Sequence, residues 1–428
     1  MSFYNEFQLK KININQFLNL IESNMLLFFE QGAAEPTAII QGLLDHFDKV
    51  PRHRILVNPV PNLNKSLFSY DIGCEQWEIY TLFGTPEIHK KISEGKIQYI
   101  PVNTSEIPTI LGTTFSPDIT IIQVSPPDNN GFCNLGITAE TLLTAIEEAK
   151  IVVAQVNQNM PVTYGQTGIH ISDIDYFIDG DSPLLEYYSP VPSEIEEKIA
   201  DEVSHLIPDR ATLQIGIGRI PDAILGKLAN KKDLGIHSGL ISDKMIELFK
   251  LGVITGRYKK VDKQKIIGTN ILGSRELYDF CHKNPSIELR PVTYTHNISL
   301  AAQLDSFISI NSAIEIDLSG QVNSESIDGR QISGVGGQLD FIRMARKSRG
   351  GKAIIALPST DRRGNSKIIP VLSSSVPVST PRTEIDVVVT EFGAVSLRYQ
   401  PLIERARRLI SIAHPNHRPH LEEWLRTL

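Results

Sequence analysis

The chain has 428 residues and a mass of 47.6 kDa, too long for one ordinary domain and comfortable for two. Hydrophobic residues make up 41% and charged residues 21%, which excludes a disordered or collagen-like chain. Forty-two Lys and Arg against 49 Asp and Glu leave a formal charge of −7, which excludes a general nucleic-acid coat.

The opening stretch, Met1–Lys11, has no basic region followed by an apolar core, so no leader is expected. No apolar run approaches the roughly 18 residues of a membrane span. Cys74, Cys133 and Cys281 lack CxxC spacing, which fits reduced thiols in a cytoplasmic protein. Runs rich in Val and Ile alternate with helical patterns along the whole chain, predicting an α/β fold with mostly parallel strands. The strands expected are 118–124, 149–156, 211–217, 352–357 and 386–390. Ala353–Leu357 is apolar throughout, as in a sheet covered on both faces. Three prolines and three serines in Asp181–Ser193 mark a connection, giving domains at 1–190 and 191–428. Ser193 and Glu196 have capping-box spacing and predict a helix through about Leu206.

The halves resemble each other. Gly32-Ala-Ala-Glu-Pro36 and Gly216-Ile-Gly-Arg-Ile-Pro221 both place a small-residue turn and a proline at the start of a helix. Asp118–Val124 in turn parallels Asp386–Glu391 and would leave the second half longer by about 80 residues. A tandem duplication explains this; so would two unrelated α/β domains with common punctuation.

Glycine turns carry the chemistry. Gln214-Ile215-Gly216-Ile217-Gly218 follows a strand and opens a helix, so free amides and a positive dipole end face whatever lies above. It is not a dinucleotide fingerprint, because Pro221 stands where the third glycine belongs. A second turn, Gly334-Val-Gly336-Gly337, precedes another helix. Either turn is a ligand cradle or a tight structural turn. The basic cluster Arg343, Arg346, Lys347, Arg349 and Lys352 is either a steering patch or a solvated helix face. His414, His417 and His420 are interleaved with prolines that break any helix aligning them, so no metal site is expected.

These stretches resemble the acetyl-CoA hydrolase/transferase family, and its 4-hydroxybutyrate CoA-transferase branch above all. The resemblance runs nearly end to end, through Gly32–Pro36, Ser125–Gly131, Val156–Pro161, Leu213–Ala223, Asn311–Gln321, Gly334–Phe341, Val389–Gly393 and Glu404–Pro415. It implies two tandem CoA-transferase-type domains with the active site between them. CoA contacts would fall at Gln214, Ile215, Gly216, Ile217 and Gly218, at Ser312 and Ala313, and at Gly334, Gly336 and Gly337. In that family a glutamate attacks the acyl-CoA thioester and carries the acyl group, then CoA, as covalent intermediates.

Here the sequence departs from the pattern. The family's Gly-Ile-His-Ser/Thr-Glu reads Gly235-Ile236-His237-Ser238-Gly239, so Gly239 stands at the nucleophile's position. Three readings follow. One is a CoA transferase acting on an acyl-CoA and a short carboxylic acid with an altered or direct route. Another is a thioester hydrolase in which His237 or a nearby acid orients water. The third is a CoA-binding protein without turnover. Arg219, with its fork of donors, is the candidate partner for a substrate carboxylate. CoA enters as substrate, no resident cofactor or metal is expected, and partners are small molecules, not nucleic acid or membrane. A homo-oligomer, a dimer, is expected of such an enzyme.

Overall fold

A computed structural model describes residues 3–69 and 77–427. Cys74 lies outside the described residues; Cys133 and Cys281 are buried. The chain forms two compact units, Met1–Tyr187 with Gly268–Tyr294, and Tyr188–Ile267 with Thr295–Leu428. This corrects the expected division into two continuous stretches meeting at 190/191, because residues 268–294 return to the first unit. Hydrogen bonds explain the return. Ala139 donates to Thr269 at 2.8 Å, Ile271 to Ile137 at 2.8 Å and Val292 to Glu140 at 2.9 Å. The Tyr278 hydroxyl adds a bond to the Leu185 carbonyl at 2.8 Å.

The first unit is built on a seven-stranded sheet. Its strands are β1 (Leu26–Phe29), β2 (His53–Val57), β3 (Trp77–Thr81), β4 (Ile97–Tyr99), β5 (Ile119–Val124), β6 (Ile151–Val156) and β7 (Tyr176–Asp179). They lie in the order β7-β6-β5-β1-β2-β3-β4, every pair parallel. Strand side chains alternate between faces, and here both faces are covered. Leu26 and Phe28 join one apolar cluster with Ile122 and Val152, while Leu27 and Phe29 join another with Ile55 and Ile121. After β1 the chain turns through Gly32–Ala34 into helix α1 (Thr37–Asp45), which buries Ile39, Ile40, Leu43 and Leu44.

The second unit begins with α2 (Glu194–Leu206), where the Glu196 carboxylate accepts the Ser193 amide at 2.5 Å, as the capping-box spacing predicts. Its sheet strands are β8 (Thr212–Ile215), β9 (Gly235–His237), β10 (Ile266–Gly268), β11 (Phe307–Ser312), β14 (Lys352–Ala356), β16 (Val387–Thr390) and β17 (Gly393–Ser396). The chain also forms a small sheet of β12 (Glu315–Asp317), β13 (Val322–Asn323) and β15 (Ile368–Ile369). The seven strands named first belong to a nine-stranded sheet, in the order β17-β16-β14-β11-β8-β9-β10 with two more beyond β10, and the pairs among the seven are parallel except for β16–β17. Helix α3 (Arg219–Gly226) follows β8, and α4 (Gln338–Lys347) packs Phe341, Ile342 and Met344 into the core with Phe307 and Ile355.

Both sheets place the unit's first strand, β1 or β8, at the centre, and both follow it with a glycine turn opening a helix. The parallel read between Gly32–Pro36 and Gly216–Pro221 is thus realised in topology. The second parallel is mispaired. The strand flanking the centre is β5 in the first unit and β11 in the second, so 118–124 corresponds to 307–312 rather than to 386–391. The supposed extra length arose from that pairing.

Candidate active site

Strand β8 delivers Gln214 beside Asn311 of β11, and their side-chain amides bond reciprocally at 3.2 and 3.4 Å. This pair ties the two strand ends together where the chain leaves the sheet. Gly218 then adopts φ 110° and ψ −176°, a backbone that side chains with a Cβ rarely reach, and caps α3. Among the described residues nothing lies within 4 Å of a Cβ built on Gly216 or Gly218, so the space above the turn is open to them. Among the described residues, the amides of Gly216, Ile217 and Gly218 donate to no protein acceptor. Unspent amides at a helix N-terminus favour an anionic or strongly polarised oxygen. Such clefts form at the carboxyl ends of strands in open α/β sheets.

One strand over, β9 ends at His237 and the chain continues through Ser238 to Gly239. The Ser238 hydroxyl donates to the Ile215 carbonyl at 3.0 Å, locking β9 to β8 just below the glycine turn. His237 is fully buried. Its Nε2 lies 2.9 Å from the Thr295 carbonyl, which can only accept, so Nε2 carries the proton. Burial, reinforced by the Lys259 charge, pushes its pKa down to about 3. His237 is therefore neutral and weakly basic near neutrality, poorly suited to activating water. Gly239 lies beside a second buried imidazole, His296, whose pKa burial also lowers to about 3. A Cβ on Gly239 would meet His296 Cε1 at 3.6 Å and Phe341 Cε2 at 3.7 Å, ordinary contacts. The turn before α4 reaches the same ring, because a Cβ on Gly337 would stand 2.7 Å from His296 Cδ2. His296 thus joins the two expected site segments, Gly239 and Gly334–Gly337, and no spacing in the sequence singled it out.

Further along the same edge, Ser312 ends β11 and Ala313 follows it, nearly buried. Gln338, first in α4, donates to Ser324 at 3.1 Å and Thr380 at 3.0 Å. Arg219 lies 3.9 Å from Glu196, and its Nε is buried without a partner among the described residues. The basic cluster is in part a paired helix face, with Arg343 3.3 Å and Arg346 3.5 Å from Glu384.

The acetyl-CoA hydrolase/transferase N-terminal domain matches residues 1–185, and the C-terminal domain of that name matches residues 273–425. A 4-hydroxybutyrate coenzyme A transferase of Clostridium kluyveri is 41% identical over 414 residues, 96% of either chain. The chain belongs to the acetyl-CoA hydrolase/transferase family. A succinyl-CoA:acetate/propanoyl-CoA:succinate CoA transferase of Fasciola hepatica is 37% identical, covering 96% of this chain and 86% of that one. The crystal structure of RipA from Yersinia pestis superposes with a TM-score of 0.93 at 32% identity, covering 100% of this chain and 99% of that chain.

In this family member the first unit also holds a group of carboxyls that the sequence reading did not single out as site residues. Glu30 directly follows β1 and is buried, with one oxygen accepting the Gln123 amide at 2.6 Å and the other without a partner among the described residues. Burial holds its carboxyl well above the ordinary value. Glu35, in the turn before α1, is equally buried and is pushed up to about 7 by burial, against hydrogen bonds from Asn64 and Gln31. Burial raises Glu140 too. The available signal was position: Glu30 and Glu35 flank the turn that corresponds to Gly216–Gly218 in the second unit. Among the described residues no group of three or more His, Cys, Asp or Glu is placed to hold a metal, and His417 instead bonds the Gly364 carbonyl at 2.8 Å. No helix among them is long and apolar enough to cross a membrane.

Proposed function

We propose that this protein moves CoA between an acyl-CoA and a short carboxylic acid of the acetate or 4-hydroxybutyrate kind. The observation that carries the reading is the open turn at Gly216–Gly218, whose amides have no protein acceptor among the described residues and whose glycines leave room for a thioester. Such donors stabilise an oxyanion as it forms at the thioester carbonyl. With Gly239 at the position the resemblance assigns to a glutamate, the chain supplies no carboxylate there. The acceptor acid then attacks the thioester carbon itself, forming a mixed anhydride and releasing CoA thiolate. The thiolate attacks the acceptor's carbonyl carbon of that anhydride, and the donor acid leaves. Binding along the CoA body offsets the entropy of holding both acids together.

Initial rates measured with acyl-CoA and acid varied together test this. Intersecting lines are expected, since both substrates must be bound before CoA moves. Parallel lines would overturn the direct route, and no exchange across a panel of short acids would overturn the function. Thiol release at the same rate with and without acid would place the protein with the hydrolases. Arg219 is the residue we assign to a substrate carboxylate. Arg219→Ala should raise KM for a dicarboxylic acyl-CoA but not for a monocarboxylic one; equal values would remove it.

A further inference from the structure

We infer that Lys367 receives a phosphate of the nucleotide end of CoA, an inference that rests on the function proposed above. Lys367 is fixed at the carboxyl edge of the second unit. Its amide donates to Ser359, just after β14, at 2.9 Å, and its carbonyl accepts from Ile316 of β12 at 2.9 Å. The side chain is half-buried, and among the described residues its ammonium makes no ion pair. The carboxylates around it act on the ammonium by charge but take their hydrogen bonds from other groups. Glu391 accepts from the Ser359 amide at 2.9 Å and hydroxyl at 2.6 Å, and Glu315 accepts from Asn323 at 3.0 Å. Asp361 is turned onto the amides of Arg363 and Asn365, at 2.8 and 2.9 Å. Glu196 takes the Ser193 amide and lies beside Arg219. Among the described residues its three ammonium protons have no acceptor, and the preceding turn adds exposed Arg362 and Arg363. Burial lowers the pKa of Lys367 despite these acids, so an anion brought against the ammonium would favour its charged form.

Strand order supplies the distance. From Gly239 after β9, the edge passes β8 with its open turn, then β11 with Ser312, then β14 with Ser359 and Lys367. Three strand spacings span roughly 14 Å. The pantetheine arm, about a dozen single and amide bonds from sulfur to the first phosphate oxygen, covers a comparable length. A thioester held beside Gly239 and threaded over Gly216–Gly218 therefore brings its phosphates to Lys367. A bare lysine of this kind suits phosphate as a point charge.

The test compares Lys367→Met and Lys367→Arg with the unaltered chain, using an acyl-CoA and the matching S-acyl-pantetheine, with thermal melts as folding controls. In Lys367→Met, KM for acyl-CoA should rise about tenfold or more, while the preference for acyl-CoA over S-acyl-pantetheine shrinks by the same factor. Lys367→Arg should recover most of that preference. An equal penalty on both substrates, or an unchanged preference, overturns the inference and leaves the function standing. If the unaltered chain turns over neither thioester, the function itself fails, and the role of Lys367 falls with it.

Discussion

Gly337 lies against the imidazole of His296 with no room for a side chain: a Cβ there would stand 2.7 Å from Cδ2 and closer still to Nε2. The ring cannot retreat easily. It packs on Phe341 with centroids 4.3 Å apart, and Nδ1 is 2.9 Å from the Thr295 hydroxyl. Gly337→Ala should therefore cost about 1–3 kcal/mol of stability, the usual penalty for overpacking. Because a Cβ on Gly239 would meet the same ring at 3.6 Å, a displaced imidazole reaches position 239, and the substitution should also lower kcat. Chemical denaturation and steady-state rates check both, and an unchanged unfolding midpoint would contradict the packing argument.

Gly216 and Gly218 separate conformation from contact. Neither has a neighbour among the described residues within 4 Å of a built Cβ, but only Gly218 has a φ in the range that favours glycine. Gly218→Ala should lose about 1–3 kcal/mol from backbone strain alone. Gly216→Ala should fold normally and pay instead in substrate binding, with a several-fold rise in KM for acyl-CoA as the methyl enters the open space. Matched melting curves and KM values distinguish the two. Equal stability losses would mean the turn is structural.

The architecture was legible because apolar strands such as Ala353–Leu357 and punctuation such as Gly216–Pro221 are local signals. Periodicity and turn chemistry reach only a few residues. The same locality explains what was missed. His296 becomes a site residue only when α4 brings Gly337 and Phe341 against it, a relation across about 40 residues of sequence. Residues 268–294 return to the first unit through hydrogen bonds to Ile137, Ala139 and Glu140, which no composition shift announces. Arg219 drew attention through its type and place, but Glu196, one helix earlier, is the carboxylate near it.

Glu35 sets a pH dependence whose sign follows from burial. Its carboxyl is pushed up to about 7 in the folded chain, against about 4.3 when unfolded. The fold thus favours the protonated form. Its stabilising contribution is fully present below pH 4.3 and is lost as pH rises through about 7. Glu35→Gln, which mimics the neutral group, should match the unaltered chain near pH 4.5 and exceed it increasingly up to pH 7.5. The gain should be on the order of 3 kcal/mol, from 1.36 kcal/mol for each pH unit of displacement. Denaturant unfolding at four or five pH values measures it; a stability difference independent of pH would show that Glu35 ionises freely in the folded state.

The proposed direct route can be tested by giving Gly239 the carboxylate that the resemblance implies at its position. Its φ lies outside the left-handed region, and a Cβ meets His296 and Phe341 only at ordinary distances of 3.6–3.7 Å. Gly239→Glu should therefore fold with little loss of stability. If the acyl carbon rests above Gly216–Gly218, the new carboxylate, one strand away, can attack it. The reaction would then pass through a glutamyl-CoA thioester. Initial-rate lines should change from intersecting to parallel, and incubation with acyl-CoA alone should leave CoA covalently attached to the chain, visible as a mass increase and removable by borohydride. A variant that folds, still exchanges CoA with intersecting lines and carries no adduct would put the reacting carbon out of reach of position 239, and the direct-attack geometry would have to be sought elsewhere along the edge.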